Sequence, residues 1–394
     1  MIIPRLRTPV AFALLWLATA CSDHVPTVTL TAVDVPDPSL RPKAWIGDAG
    51  VIAAIVTPPL VLARVPTRDT LGRLLPTSEL VHPSVACASV KRFQCFMMMT
   101  PYPVSDGKLE NASVLVGVDT ITWMEPSQTV NPIVAKTPRG WTNNSDPDLN
   151  WDVASHRWFF TNRLASNDSN VVSVFGSGDG AHFGAPRRTI AVPSHQVISQ
   201  SFTVGHDAQP RLYSVRATSC GDDGATVEVR FPVGAASRHE DIEWGAPQTV
   251  SLDQPSYVPW HLEIRWVRKL QMYVGLVVAH PVGGTCGDDD LFLVVSSDGM
   301  HFNTYPHPIL WRRNPWITFK AVYRSSFIYD DSQRLLRLWI SGYTADYHWR
   351  LMYASIPGTA CLPGLKRWPR SRVSPTATNI SSGLHRGLAP AAPR

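Results

Sequence analysis

Six residues spread along the chain carry side chains able to move protons or hold a polar substrate. They are His82 in His-Pro-Ser-Val, Glu110 beside Asn111, Asp146 in Ser-Asp-Pro-Asp, His261 and Glu263 in Trp-His-Leu-Glu-Ile, and Arg324 in Tyr-Arg-Ser-Ser. Two carboxyl groups in unequal surroundings, one kept protonated by desolvation and the other ionised, can carry general acid–base hydrolysis. Asp146 is expected as the base and Glu110 as the acid. His82, His261, Glu263, Arg324 and Tyr102 are expected to contact substrate, and Trp260 and Trp316 to offer further aromatic faces. Plainer roles compete with these. Asp146 precedes a proline as a turn residue does, Glu110 sits in a polar loop, and a histidine is often satisfied by backbone alone.

A repeat supplies the elements that position these residues. Gly117 to Trp123, Ser177 to Phe183 and Ser296 to Phe302 share a turn signal, with an aromatic residue four positions after Asp119, Asp179 and Asp298. The carboxylate accepts backbone N–H groups in a tight turn, and Gly180 and Gly299 permit a positive φ. Upstream of each turn stands a polar residue that opens a strand, and two less regular units fill the gaps. The openings fall at 82, 146, 201, 261 and 324, in steps of 64, 55, 60 and 63 residues. Five units of that size, each with room for four short strands, predict an all-β fold, a five-bladed β-propeller. A β-sandwich does not account for the regular step. In a propeller the first strands line the central channel, so the opening residues converge at one mouth, and the loop between second and third strands overlooks it. Asp119, Asp179 and Asp298 then lie at the opposite face and are structural.

Composition agrees with this reading. The chain has 394 residues, 34 of them Pro and 25 Gly, which interrupts long helices, while 14 Trp and 44% hydrophobic residues supply a core. Of the net charge of +5, Arg5 and Arg7 contribute two and the six basic residues after Gly358 the rest and more, leaving a slightly acidic body. No nucleic-acid partner is expected, and the chain is expected to be a monomer. Arg5 and Arg7, the apolar run Val10 to Leu17 and Leu17-Ala18-Thr19-Ala20-Cys21 read as an export signal that resembles a bacterial lipoprotein signal. The resemblance implies lipidation of Cys21, a membrane partner through that anchor, and an extracytoplasmic location at the outer membrane or cell surface. The expected divisions are 1–20 signal, 21–80 anchor linker and short irregular extension, 81–357 propeller and 358–394 disordered basic tail. Residues 22–80 supply either a closing strand for the last blade or loops over the mouth. Export permits disulfides. Cys87 and Cys95 flank one hairpin turn, and Cys220 and Cys286 sit in matching Cys-Gly-Asp-Asp loops, so these two pairs are expected and Cys361 is left over.

The turn motifs resemble the Asp-boxes of sialidases and related propellers. Ser145 to Asp152, followed by Trp158-Phe159-Phe160, resembles the blade opening of five-bladed glycosidases, the clan of arabinanases, β-xylosidases, invertases and levanases. His82 to Val85, Thr100-Pro101-Tyr102-Pro103, Glu110-Asn111 and Asn131-Pro132-Ile133 resemble the first blade of bacterial glycosidase-like propellers. The resemblance implies a carbohydrate substrate cleaved by two carboxyl groups roughly 5 to 10 Å apart, with no cofactor. Two departures stand out: the clan's first-blade acid is replaced by His82 or Ser84, and its third-blade Glu by the stretch Ser199-Gln200-Ser201. A non-catalytic propeller that binds glycan or a protein partner is therefore the alternative, with a structural envelope lipoprotein behind it. No metal is expected in the site. Calcium at the acidic turns 221–223 and 287–290 is the one ion the sequence allows.

Overall fold

The computed structural model describes residues 61–68, 73–74, 78–134, 142–194, 196–254, 256–305, 307–310 and 319–357, all in the unit 44–394. The signal, Cys21, Trp316, Cys361 and the tail 358–394 lie outside the described residues. The strands begin with β1 (Val61–Leu62). Blade one is β2 (Leu80–Ser89), β3 (Gln94–Pro101), β4 (Ser113–Gly117) and β5 (Trp123–Met124). Blade two is β6 (Asn143–Asp152), β7 (Arg157–Ala165), β8 (Ser169–Ser177) and β9 (Arg187–Pro193). Blade three is β10 (Ile198–Val204), β11 (Pro210–Arg216), β12 (Thr226–Arg230) and β13 (Gln248–Asp253). Blade four is β14 (Tyr257–Val267), β15 (Met272–Pro281), β16 (Asp290–Ser296) and β17 (His301–Thr304). In blade five, β18 (Phe319–Val322) and β19 (Ser326–Asp330) both pair with β20 (Leu335–Thr344), which pairs with β21 (Trp349–Pro357). β1 adds to the outer edge of blade five, Val61 opposite Tyr353. Of the two roles left open for the N-terminal segment, the closing strand is therefore filled.

Each blade is apolar on both faces because it is packed on both sides. In β15, Val274, Leu276 and Val278 enter the core shared with blade five. The alternate residues Tyr273, Val277 and Ala279 enter the core shared with blade three. Strand period two thus divides one run of hydrophobic residues between two cores. Five such cores each join one pair of successive blades, which closes the circle.

A ring of hydrogen bonds closes the same circle near the axis. Ser84 accepts from the N–H of Leu149 at 2.9 Å, Asp148 from Phe202 at 2.8 Å and Ser201 from Ile264 at 2.9 Å. Glu263 accepts from Phe327 at 3.4 Å and Ser326 from Val85 at 2.9 Å. Each polar residue is fully buried and reaches the next blade at the equivalent position.

Two residues before each ring position the inner strand breaks register. The irregularity falls between Val81 and Ser84, Ser145 and Asp148, Ile198 and Ser201, and Pro259 and His261. His82, Asp146 and Ser199 carry φ of 54°, 55° and 51° there, and in blade five the strand splits at residues 323–325. Bulges re-aim side chains, and non-glycine residues at positive φ are held only where the surroundings demand it. The opening of blade three is accordingly Ser199, with Ser201, the expected opening, in the hydrogen-bonded ring.

At the far ends of blades one, two and four, Asp119, Asp179 and Asp298 each accept two backbone N–H bonds from the residues two and three positions on. Both expected disulfides, Cys87–Cys95 and Cys220–Cys286, are formed.

Candidate active site

The bulges deliver His82, Asp146 and His261 to one point. Nε2 of His82 lies 3.0 Å and Nδ1 of His261 3.7 Å from Oδ1 of Asp146, all three residues being buried. The other oxygen, Oδ2, accepts from Nε of Arg163 at 2.6 Å and from the N–H of Ser199 at 3.2 Å. Gln200, in the stretch where the clan's third-blade acid would stand, donates its amide to the Asp146 carbonyl at 2.6 Å. Burial alone would raise the Asp146 carboxyl, but Arg163 and the other cations around it hold it far below the usual range.

The protonation of His82 follows from its partner. The Thr100 hydroxyl lies 3.3 Å from the carbonyl of Val81 and 2.9 Å from His82 Nδ1, and when it donates to the carbonyl it accepts from Nδ1. With the ring hydrogen on Nδ1, Nε2 presents a lone pair toward Asp146 Oδ1. Burial, with Arg324 and Arg163 nearby, lowers His82 to about 3 against the pull of Asp146, so no second proton sits between them. His82 Nε2, Asp146 Oδ1 and both ring nitrogens of His261 have no hydrogen-bond partner. One donor atom from each residue lies within 4.8 Å of the others, and this is the one such group found among the described residues. Two imidazoles and a carboxylate with converging, unsatisfied lone pairs form a donor set that suits a divalent metal ion such as zinc.

Glu110 reaches the same mouth on the blade-one loop. Two short helical turns, Pro103–Ser105 and Gly107–Leu109, fold that loop inward. Burial and the Asp146 charge push the Glu110 carboxyl up to about 8, with Arg163 and a hydrogen bond to Ser145 opposing. Tyr323 packs its ring 4.2 Å from that of His261 and 5.0 Å from that of His82, and burial raises its phenol well above the ordinary value.

Other expected residues take different posts. Glu263, expected at the substrate, is fully buried in the interblade ring and binds Arg265 at 2.7 Å and Ser326 at 3.0 Å. Arg324 is fully buried and donates to Asp148 at 3.2 Å and to the Gln200 carbonyl at 3.0 Å, beneath the site. Tyr102 stands half-buried beside Trp349, ring centres 5.5 Å apart. Trp260 packs against the core of blades three and four, its ring 5.6 Å from that of His261. Asp222 and Asp288 accept from the N–H of Thr218 and Thr285, and Asp223 from that of Gly283, so these acidic turns satisfy backbone. The sequence reading passed over Thr100, Arg163 and Tyr323. Ser145 pairs with Arg163 across β6 and β7, so counting from the turn at Asp152 would have found the arginine.

The chain is a five-bladed propeller. No protein-family model matches it. Over 321 residues, 68% of this chain, it is 23% identical to the A type blood N-acetyl-alpha-D-galactosamine deacetylase of Flavonifractor plautii, and the match covers 40% of that relative's length. The crystal structure of an N-acetylgalactosamine deacetylase from F. plautii, in complex with blood group B trisaccharide, superposes with a TM-score of 0.67 at 19% identity, covering 79% of this chain and 98% of that one. Xylan beta-1,4-xylosidase from Bacillus halodurans gives a TM-score of 0.52 at 12% identity, over 71% of this chain and 52% of that one. These last two are likenesses of fold.

Proposed function

We propose that the protein is a glycan-acting hydrolase that removes an N-acetyl group from an amino sugar, using a divalent metal ion held by His82, Asp146 and His261. The observation that carries this is the convergence of three buried, unpaired lone-pair donors at the channel mouth. The 23% identical deacetylase supports the choice of bond. When bound, such an ion supplies Lewis-acid polarisation of an acyl oxygen and a more acidic water.

The residues of the chain have these parts in amide hydrolysis. Water adds to the acyl carbon, the C–N bond breaks, and one proton passes from the water to the departing amine; the acetic acid formed gives its proton to that amine, leaving acetate and an ammonium group. Glu110 is placed to relay the water's proton. Its value of about 8 reflects burial beside a carboxylate, and added positive charge in the donor set lowers it toward neutrality, where a carboxyl both accepts and gives a proton. Tyr323, kept protonated, offers a phenol O–H to charge developing on the acyl oxygen. Arg163 and the Ser199 N–H fix the outer oxygen of Asp146, so the inner one faces the two imidazoles. In this reading Asp146 serves as a ligand, where the sequence alone leads one to expect a base.

A second reading, glycoside hydrolysis, is favoured by the contrast between a strongly ionised Asp146 and a protonated Glu110. One assay separates the two. On N-acetylated oligosaccharides the proposal expects release of acetate without new reducing ends, abolished by chelator and by Glu110→Gln. New reducing ends formed in the presence of chelator would establish the glycosidase reading in its place. Lipid attachment at Cys21, residence at the outer membrane or cell surface and a monomeric state are further proposals that rest on sequence. Retention of a fatty-acid label in a Cys21→Ala variant would contradict the first of them.

A further inference from the structure

Five aromatic rings lead from the His82–Asp146–His261 centre toward the surface of blade five, and none of them belongs to any of the five interblade cores. Tyr323, 4.2 Å from the His261 ring, is 5.3 Å from Trp349. Trp349 is 5.5 Å from Tyr102 and 5.1 Å from Tyr343, and Tyr343 is 6.3 Å from Tyr347. Trp349 is buried, Tyr102, Tyr323 and Tyr343 are half-buried, and Tyr347, the outermost, is 65% exposed.

Packing does not account for this arrangement. A buried tryptophan ordinarily serves a core, yet Trp349 faces other rings and is fixed by its indole N–H, which donates to Ser105 of the blade-one loop at 2.9 Å. Tyr347 occupies the turn between β20 and β21 with φ of 65°, a conformation that disfavours a bulky side chain. Its ring stands in solvent with Nζ of Lys320 3.2 Å from the centroid. That turn joins the second and third strands of its blade, so it overlooks the same mouth as the loop bearing Tyr102 and Glu110.

We propose that this wall is a binding subsite for one pyranose ring, the sugar linked to the residue that occupies the His82–Asp146–His261 centre. The inference rests on the reading of that centre as glycan-acting. A pyranose offers a flat face of C–H groups that packs on aromatic rings and a rim of hydroxyls, and the wall matches both. Tyr343 and Tyr347 supply ring faces, and their phenols, with Lys320 and Asp346 beside them, supply donors and acceptors. The substrate is accordingly an oligosaccharide and not a free monosaccharide.

The test compares an N-acetylhexosamine methyl glycoside with an N-acetylgalactosamine-containing trisaccharide, in the wild type and in a Tyr343→Ala/Tyr347→Ala variant. Loss of an aromatic anchor costs about tenfold in binding. The ratio of kcat/KM, trisaccharide over monosaccharide, is expected to exceed about ten in the wild type and to fall by about that factor in the variant. A ratio near one in the wild type, or an unchanged ratio in the variant, overturns the proposal. Tyr347→Gly, whose backbone suits φ of 65°, gives the same reading should the double variant fold poorly. If neither substrate yields acetate, the deacetylase reading fails by itself and calorimetry of trisaccharide binding decides the subsite. A dissociation constant about tenfold weaker in the variant supports the wall, and absent or unchanged binding overturns it.

Discussion

At the scale of the residue, the centre depends on which atoms keep lone pairs. For His82 the neighbour that bears on this is Thr100, whose hydroxyl accepts from Nδ1 when it donates to the Val81 carbonyl. Thr100→Val keeps the shape and removes the acceptor, so it is expected to weaken metal affinity by about 10- to 100-fold, measured by competition with a chelating dye. An unchanged affinity would show that the tautomer is set elsewhere. A second buried pair lies in blade four, His280 and Asp289, 3.5 Å apart, with no hydrogen bond to any of their four polar side-chain atoms. Burial pushes the Asp289 carboxyl up to about 7, with the neighbouring His280 opposing. The folded state therefore holds a proton between about pH 4 and 7 that the unfolded chain has released, and this group's penalty grows as pH rises through that window. Asp289→Asn is expected to raise stability by ~1 kcal/mol or more above pH 7, the gain shrinking toward zero near pH 4. Thermal unfolding across that range checks it, and a gain independent of pH would contradict it.

At the scale of the element, each inner strand does two jobs two residues apart. In blades one, two and four the bulge position aims a side chain into the mouth, and in every blade the next inward residue ties the blade to its neighbour. Ser326→Ala leaves the buried N–H of Val85 without an acceptor, which is expected to cost about 1 to 3 kcal/mol. A loss below ~0.5 kcal/mol in denaturant melts would remove the ring from the account of stability. This two-residue phase also explains what was legible in the sequence. The Asp turns fix the far ends of the blades through local hydrogen bonds, so the repeat length, and with it the five-bladed fold, could be counted. His82, Asp146 and His261 were found because they open strands at that period. Glu263 was misassigned because it stands two positions past His261, where the strand has already turned its side chain to the ring. Blade three was read two residues late, Ser201 for Ser199, since a positive φ at a serine leaves no mark in the sequence. Nor does spacing reveal that three polar residues 64 and 115 positions apart meet with side-chain atoms left without hydrogen-bond partners.

At the scale of the whole molecule, the circle is closed by five cores, one ring of hydrogen bonds and the short strand β1. The N–H of Ala63, just after β1, donates to the Leu351 carbonyl at 2.8 Å. Ala63→Pro removes that donor and leaves the Leu351 carbonyl without it, which is expected to lower stability by about 1 to 3 kcal/mol, seen as a shift of the denaturant midpoint. An unshifted midpoint would mean that blade five holds its edge without β1. Closure matters to chemistry because the three donors come from blades one, two and four and have no shared local segment to hold them. The most direct measurement is calorimetric titration of zinc into the chelator-stripped protein, beside its His261→Ala variant. One tightly bound equivalent in the wild type that is lost or greatly weakened in the variant is the predicted result. Absence of saturable binding, or equal binding by the variant, would contradict a metal centre at the channel mouth.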